Sequence, residues 1–222
     1  METLLGSRTP DNLDSGANVP NVTRSVVVKS GQSLKRGTVM SEVSVSLNGV
    51  TTGTANGGNT GGGTVTDVSL GTKAKVGTYT IRCTVAPTAY DSFLPQFEIK
   101  DPDGIVIGTA VQATAFTSPQ INLLINDGSP DFVAGDKFTV AVIAGSAKAV
   151  GYDSTATNGG ASPLSVLAED VDATDADTAG IVNETGEFNE TALIFVNEDD
   201  GPDNIREIFR QRGIHLKVNQ AY

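Results

Sequence analysis

The hydrophobic and polar positions of this chain alternate mainly with the period of β-strands. From Tyr79 to Val85, apolar residues alternate with Thr and Arg, which predicts a strand with one buried and one exposed face. The segment Asp101-Pro-Asp-Gly104 stands between two apolar runs, and its Pro and Gly favour the turn of a hairpin. Further apolar and alternating segments follow, so residues 64–143 are predicted to form roughly six strands.

A second group of strands is predicted on either side of that region. Residues 40–45 and 147–152 are expected to be the two arms of one hairpin, whose turn is replaced by the intervening chain. Insertion at a turn is tolerated because the two ends of the insert are adjacent. The apolar run at 192–196 predicts a further strand, and Ile181-Val182 is expected to pair with Phe188.

One helix is predicted, over residues 202–212. Pro202 suits the first turn, acidic residues stand at the positive end of the helix dipole, and Gly213 fits the position just after the last turn. Ile205, Ile208 and Phe209 fall on one face, which we expect to pack on the sheet.

Two segments are too polar or too rich in Gly to predict regular structure. Residues 1–25 are expected to be a flexible N-terminal arm that orders only on a partner. Residues 47–63 are predicted to be a Gly-rich linker, and they lack the Gly-Lys-Ser/Thr of a phosphate-binding loop. The resulting plan is a discontinuous domain, 26–46 with 147–222, split by an inserted β domain at 64–146.

The charge of the chain restricts its partners. The 222 residues carry a formal net charge of −11, and no Lys or Arg occurs between Ala149 and Ile205. Such a charge repels phosphate backbones, so no nucleic-acid partner is expected.

No apolar run is long enough to span a bilayer, and no signal-peptide pattern opens the chain, so neither a membrane nor secretion is predicted. The lone Cys83 excludes an intrachain disulfide and suits assembly in a reducing cytoplasm.

Sites for metal or catalytic chemistry are weakly indicated. The acidic segment 169–177 places carboxylates at alternate positions, as Ca²⁺ loops do, but it lacks the Gly and Glu of the EF-hand pattern. A solvated loop is therefore favoured, and no metal ligand is predicted. His215, the only histidine, is expected on an exposed strand face and Cys83 in a core, so a zinc site with several His is excluded and a Cys-His nucleophile pair is disfavoured. We expect no enzyme activity, no catalytic residue and no cofactor.

Motifs in the last third of the chain, with one segment upstream, carry a resemblance to a known family. They are Ser30-Gly-Gln-Ser-Leu-Lys-Arg-Gly-Thr-Val-Met40, Leu-Ala-Glu-Asp-Val-Asp-Ala-Thr at 167–174, Gly-Glu-Phe-Asn-Glu at 186–190 and Ile-Arg-Glu-Ile-Phe-Arg-Gln-Arg-Gly-Ile-His-Leu at 205–216. In that order the chain resembles the phage head decoration proteins of the lambda D type. The resemblance implies a mainly β fold, in which a small β-rich decoration domain with one short α-helix is split by an inserted β-sandwich-like domain.

The resemblance also implies a structural function. Family members look like trimers on an expanded capsid, so we expect a homotrimer that binds the major capsid protein on the outer surface of the virion head, and stabilises the head against packaged DNA. The capsid-binding residues are expected in the arm, where a strand would be added to the capsid protein; they are Asn21, Val22, Thr23, Arg24, Ser25 and Val26. The alternatives are a virion surface module that recognises a host-surface glycan or another structural protein through the inserted domain, and a tail or baseplate component.

Overall fold

The computed structural model describes residues 12–87 and 94–218. The described chain forms two compact units. Unit 1 comprises residues up to Glu42 together with 148–153 and 162–218, and unit 2 comprises 43–147 and 154–161.

The elements are mainly strands, as the alternation predicts. The strands are β1 (Thr23–Val28), β2 (Gln32–Leu34), β3 (Val39–Glu42), β4 (Val45–Ser46), β5 (Thr54–Ala55), β6 (Thr64–Leu70), β7 (Gly77–Val85), β8 (Gln96–Lys100), β9 (Val106–Val111), β10 (Ile121–Asn126), β11 (Lys137–Ala144), β12 (Ala149–Gly151), β13 (Ser165–Leu167), β14 (Val171–Ala173), β15 (Thr178–Asn183), β16 (Gly186–Asn189) and β17 (Ile214–Lys217). Helix α1 spans Pro202–Gln211, and a 3₁₀ turn spans Glu190–Ala192.

Unit 1 is built on a closed barrel with the strand order β1-β12-β3-β13-β15. The expected hairpin is confirmed, since β3 and β12 pair antiparallel with Glu42 opposite Ala149. Fully buried side chains such as Val28, Leu167 and Val182 fill the barrel. Two further pairs belong to this unit, β2 with β14 antiparallel and β16 with β17 parallel.

Two strand predictions in unit 1 are wrong. Residues 192–196 form no strand, because the Asn189 side chain accepts a hydrogen bond from the Thr191 amide and winds the chain into the 3₁₀ turn just before them. Only Ile194 makes an isolated bridge. The predicted pairing of Ile181-Val182 with Phe188 is also absent, since β15 pairs with β1 and β13, whereas β16 pairs with β17.

Helix α1 begins and ends close to its predicted bounds. Pro202 occupies the first turn, and Gly213 adopts the expected positive φ of 82° after the last turn. Ile205 and Phe209 are fully buried, whereas Ile208, predicted on the same face, is 41% exposed. The buried face of the helix is therefore narrower than the sequence suggests.

Unit 2 contains the roughly six strands predicted for 64–143, as β6 to β11. Its larger sheet has the order β4-β11-β7-β8-β9 with β5 also on β11, and β6 pairs with β10. The hairpin at 101–104 is confirmed, since β8 pairs with β9 and the Asp101 carboxylate accepts hydrogen bonds from the amides of Asp103 and Ile105, both 3.0 Å. Val85 is 43% exposed because the register shifts beyond Cys83.

The Gly-rich segment 47–63 is part of unit 2, and the prediction of a flexible linker is wrong for it. The amides of Thr60 and Gly61 donate to the buried carboxylate of Asp136 at 2.8 and 2.9 Å, and β5 pairs with Phe138 and its neighbour on β11. A Cβ on Gly62 would lie 2.3 Å from the Ser129 carbonyl oxygen. Gly is needed here for close backbone approach and not for flexibility.

Candidate functional site

The N-terminal segment is docked on unit 1 from residue 12 onward. Leu13 is only 2% exposed and belongs to the same buried cluster as Phe188 and Phe209, and Asp14 forms an antiparallel bridge with Phe188. The predicted flexible arm is therefore wrong for 12–25, and residues 1–11 lie outside the described chain. The segment is anchored by the single apolar side chain of Leu13, which the polar composition of residues 1–25 does not make evident.

Glu187 on β16 is the polar anchor of this segment. Its buried carboxylate accepts hydrogen bonds from the Lys217 ammonium at 2.7 Å and from the Asn18 amide at 3.2 Å. The bond from Lys217 is the main reason that the pKa of Glu187 is lowered. Gly16 passes so close that an added Cβ would lie 1.8 Å from a Glu187 carboxylate oxygen. The acid at 187 therefore holds the segment, and any larger residue at 16 would displace this carboxylate from its hydrogen bonds.

Strand β1 has one paired edge and one edge that is mostly open. All six of its residues pair antiparallel with β15, from Thr23 opposite Asn183 to Val28 opposite Thr178. On its other edge only Val28 is paired, in parallel with Ala149, because β12 begins at that residue. Within the described residues, positions 23–27 therefore have no strand on this side. An open edge of this kind is a template for another strand.

The six predicted capsid-binding residues all lie at this edge. Thr23, Arg24, Ser25 and Val26 are the first four residues of β1, and Asn21 and Val22 precede it. The Asn21 side chain donates to the Asp14 carboxylate at 3.0 Å, which fixes the approach to the strand. The structure thus brings the six residues together as a partly formed strand. Because their sequence is polar, its pairing with β15 is not evident from the sequence.

Exposed apolar side chains surround the same strand. Val22 is 50% exposed, Val27 is 48% exposed and Ile181 of β15 is 40% exposed. Ser25 lies directly opposite Ile181, so Val27 and Ile181 are on one face of the β1/β15 pair. The open edge is therefore accompanied by an apolar outer face that a partner can cover.

A polar hollow of about 540 Å³ adjoins the start of β1. Its lining residues are Arg24, Glu42, Leu164, Glu184, Thr185 and Arg212. The Arg24 guanidinium is ion-paired with Glu184, and both side chains are roughly half exposed. Of these residues only Arg24 is predicted from the sequence, because strand pairing and the end of the helix bring the others to it from distant positions.

The acidic segment 169–177 uses its carboxylates for internal contacts. Asp170 accepts hydrogen bonds from the Lys35 ammonium and the Arg36 amide, both at 2.8 Å, and Asp177 accepts from the Ser30 amide and pairs with Lys148. The hydrogen bonds from Lys35 and Lys148 are the main causes that lower the pKa of Asp170 and Asp177, respectively. The hydrogen bonds and ion pairs of these carboxylates hold the loop against residues 29–36 and Lys148.

The described residues offer no metal site and no membrane-spanning helix. Among residues 12–87 and 94–218, no three His, Cys, Asp or Glu side chains lie together as a metal site would require. No helix in those ranges is long and apolar enough to cross a membrane. Cys83 is buried, and burial raises the pKa of its thiol. His215 lies on β17 and is partly buried rather than fully exposed as predicted.

These features define a mainly β protein with a docked N-terminal segment and an open strand edge. The model of the family described as bacteriophage lambda head decoration protein D matches residues 5–211, and the chain belongs to this family. Membership supports a structural role in phage capsid decoration and a location at the virion capsid.

Other comparisons add little to this assignment. A search of curated proteins finds no match. Two crystal forms of FlgL from Xanthomonas campestris are similar at 18% identity and a TM-score of 0.31, covering 50% and 51% of this chain and 32% of the FlgL chain in each case. The chain thus spans about a third of the length of FlgL, and a likeness at this TM-score carries no structural argument.

Proposed function

We propose that this protein binds the outer surface of the assembled phage head as a homotrimer and stabilises it against the pressure of packaged DNA. The single observation that carries the proposal is membership of the head decoration family over residues 5–211. The partner is the major capsid protein. A ligand that binds only the assembled lattice stabilises that lattice by mass action, so a small protein is sufficient for this task.

The proposed contact is made by residues 21–26 at the open edge of β1. A strand of the capsid protein would pair with this edge, gaining main-chain hydrogen bonds that positions 23–27 do not form with any strand of the described chain on that side. Val22 and Val27 would lose their exposure to water in the same contact. This proposal differs from the flexible-arm hypothesis, because the strand is already positioned by β15 before the partner arrives.

Three copies in one trimer would strengthen weak individual contacts. Once one edge is bound, the second and third contacts become effectively intramolecular, so avidity can exceed single-site affinity by about 10²-fold or more. A substitution at one contact residue is present in all three copies, so it weakens all three contacts of the trimer. This property makes surface substitutions a sensitive test.

The test is co-sedimentation of purified protein with expanded heads that lack it. The variants are Val22→Asp and Ser25→Asp, which place charge at an exposed edge without removing a buried side chain. We expect each to reduce attachment by at least about tenfold while the thermal unfolding curve stays unchanged. Val76→Asp is the matched control, since Val76 is 51% exposed and lies in unit 2.

Deleting residues 1–24 is not a clean test, because it removes the buried Leu13 and the first two residues of β1. Attachment by both edge variants at the level of Val76→Asp would refute the role of residues 21–26. Failure of the unaltered protein to bind heads at all would refute the decoration function itself. The oligomer is measured separately, by analytical ultracentrifugation, and a monomer at the concentrations that saturate heads would refute the trimer.

A further inference from the structure

The exposed face of the larger sheet in unit 2 carries an unusual arrangement of cations. Lys137 on β11 lies directly opposite Arg82 on β7, and Arg82 lies directly opposite Glu98 on β8. Like charges at directly opposite positions destabilise a sheet. Glu98 is itself engaged by Lys100, whose ammonium lies 3.0 Å from its carboxylate. Arg82 and Lys100 thus lie beside Glu98, and Lys137 lies beyond Arg82, so this face carries three cations and one carboxylate.

This clustering is not a general property of unit 2. The described part of the unit contains five cations: Lys73, Lys75, Arg82, Lys100 and Lys137. Lys75 is held by the carboxylates of Asp101 and Asp103, at 2.7 and 2.6 Å. Among the residues the structure describes, the side chains of Arg82 and Lys137 form no salt bridge. Arg82 and Lys137 are therefore the two cations of the larger sheet that no carboxylate of the described chain neutralises.

A shallow hollow of about 470 Å³ lies over these cations. Its lining residues are Thr78, Thr80, Arg82, Glu98, Lys100, Asp101, Pro102, Gly104 and Lys137. The volume is within the range of small-ligand sites, roughly 300–1,000 Å³. The lining has three cations, two carboxylates, the hydroxyl groups of two threonines and no aromatic ring. Because the Asp101 carboxylate is bound by Lys75, the cations predominate and the hollow suits a compact polar anion better than an apolar ligand.

We propose that this hollow binds an acidic saccharide. Arg82 and Lys137 would hold the carboxylate of the sugar through charge-assisted hydrogen bonds, and the hydroxyl groups of Thr78 and Thr80 would bond to its hydroxyls. The proposal concerns unit 2 alone and goes beyond capsid attachment, because it gives this unit a ligand of its own. Binding would therefore survive in a protein that no longer attaches to heads.

Two other classes of anionic ligand fit the face less well. An extended acidic peptide gains affinity from a free strand edge, but β7 is paired on both sides, with β11 and with β8. A peptide on this face could therefore contact side chains only, and could not pair with a strand edge of β7. Nucleic acid is disfavoured by the net charge of −11 and by the absence of a ring on which bases could stack.

The experiment is titration of the full chain with trigalacturonate, followed by NMR chemical shifts of backbone amides and by calorimetry. We expect shifts confined to β7, β8 and β11, and binding that weakens with added salt. The double variant Arg82→Gln with Lys137→Gln should bind at least about tenfold more weakly. It should also remain folded, because it removes a repulsive pair. Lys73→Gln is the matched control for the single variants Arg82→Gln and Lys137→Gln, since each removes one positive charge and Lys73 is an exposed cation of unit 2 outside the hollow.

Each alternative outcome overturns the proposal. No shifts at up to about 10 mM trigalacturonate would exclude a site of useful affinity. Equal binding of neutral galactotriose would show that charge recognition is absent. Equal or tighter binding of a Glu oligopeptide would assign the face to an acidic protein segment. An equal loss with Lys73→Gln would reduce the effect to the net charge of the chain.

Discussion

Asp14 forms an antiparallel β-bridge with Phe188 of β16, although the two residues are far apart in the sequence. The bridge is reinforced by the Ser15 amide, which donates to the Glu187 carbonyl at 2.9 Å, and by the Asn189 amide, which donates to the Leu13 carbonyl at 2.7 Å. The beginning of the described chain is therefore part of the folded core of unit 1 and precedes β1 as an ordered element.

The burial of Leu13 predicts a large effect of truncating it. Leu13→Ala should lower the free energy of unfolding by about 2–5 kcal/mol, because it leaves a cavity beside Phe188 and Phe209. Chemical denaturation measures the change. Val22→Ala is the control, since Val22 is half exposed and should change stability by less than about 0.5 kcal/mol. Equal small effects at both positions would mean that the segment is not docked.

Two glycines of the same Gly-rich segment should respond differently to an added methyl group. Gly62→Ala should destabilise by about 1–3 kcal/mol, because its Cβ would meet the Ser129 carbonyl oxygen at 2.3 Å. Gly57→Ala should be neutral or slightly stabilising, since nothing lies within 4 Å of its Cβ. Thermal unfolding of both variants distinguishes a packed segment from a linker, in which the two substitutions would behave alike.

Asp136 is expected to be the main polar support of that segment. Its carboxylate accepts hydrogen bonds from the amides of Thr60, Gly61 and Val133, all at 2.8–2.9 Å. Burial raises the pKa of this carboxyl, but the three amide donors outweigh burial and the net shift is downward. Asp136→Ala should cost roughly 2–4 kcal/mol, because these amides lose their acceptor.

The control for Asp136 is Asp131→Ala, which removes an exposed carboxylate of the same loop. Both variants lose one negative charge, so a difference between them reports on hydrogen bonding and not on net charge. Urea denaturation gives the two free energies of unfolding. A loss at Asp136 no greater than that at Asp131 would contradict the supporting role.

Glu187 predicts a specific response to acid. Its pKa in the folded protein is lowered, chiefly by the hydrogen bond from Lys217. The stability it provides is therefore fully present above the ordinary value of 4.5 and is lost as the pH falls through the lowered pKa. Between about pH 7 and pH 3, unfolding free energies of Glu187→Gln should decline less steeply than those of the unaltered protein. Glu169→Gln, at an exposed position, should follow the unaltered curve.

The sequence is sufficient to predict elements whose signals are local. Alternation identified the strands of unit 2, and the Pro and Gly at the ends of α1 identified its bounds because capping depends on a few adjacent residues. The β3/β12 hairpin was also predictable, since both arms are apolar and alternate. Family motifs at 186–190 and 205–216 lie in β16, α1 and β17, which supply much of the core of unit 1.

Features that depend on distant partners were not predictable. Residues 12–25 are polar apart from Leu13 and a few valines, so their docking depends on the core cluster and on β15, neither of which is evident from the segment itself. Residues 154–161 belong to unit 2 although the chain around them belongs to unit 1, and composition gave no sign of it. The cationic face arose from strand register, which places Lys137 beside Arg82.

The pairing of Glu42 with Ala149 places the point where the chain leaves unit 1 next to the point where it returns. Directly opposite residues in an antiparallel ladder are about 5 Å apart. A replacement module whose own termini meet at that separation would extend the two strands as a continuous ladder. A short turn of two to five residues should be able to close this position, provided that residues 154–161, which also belong to unit 2, are replaced in the same variant.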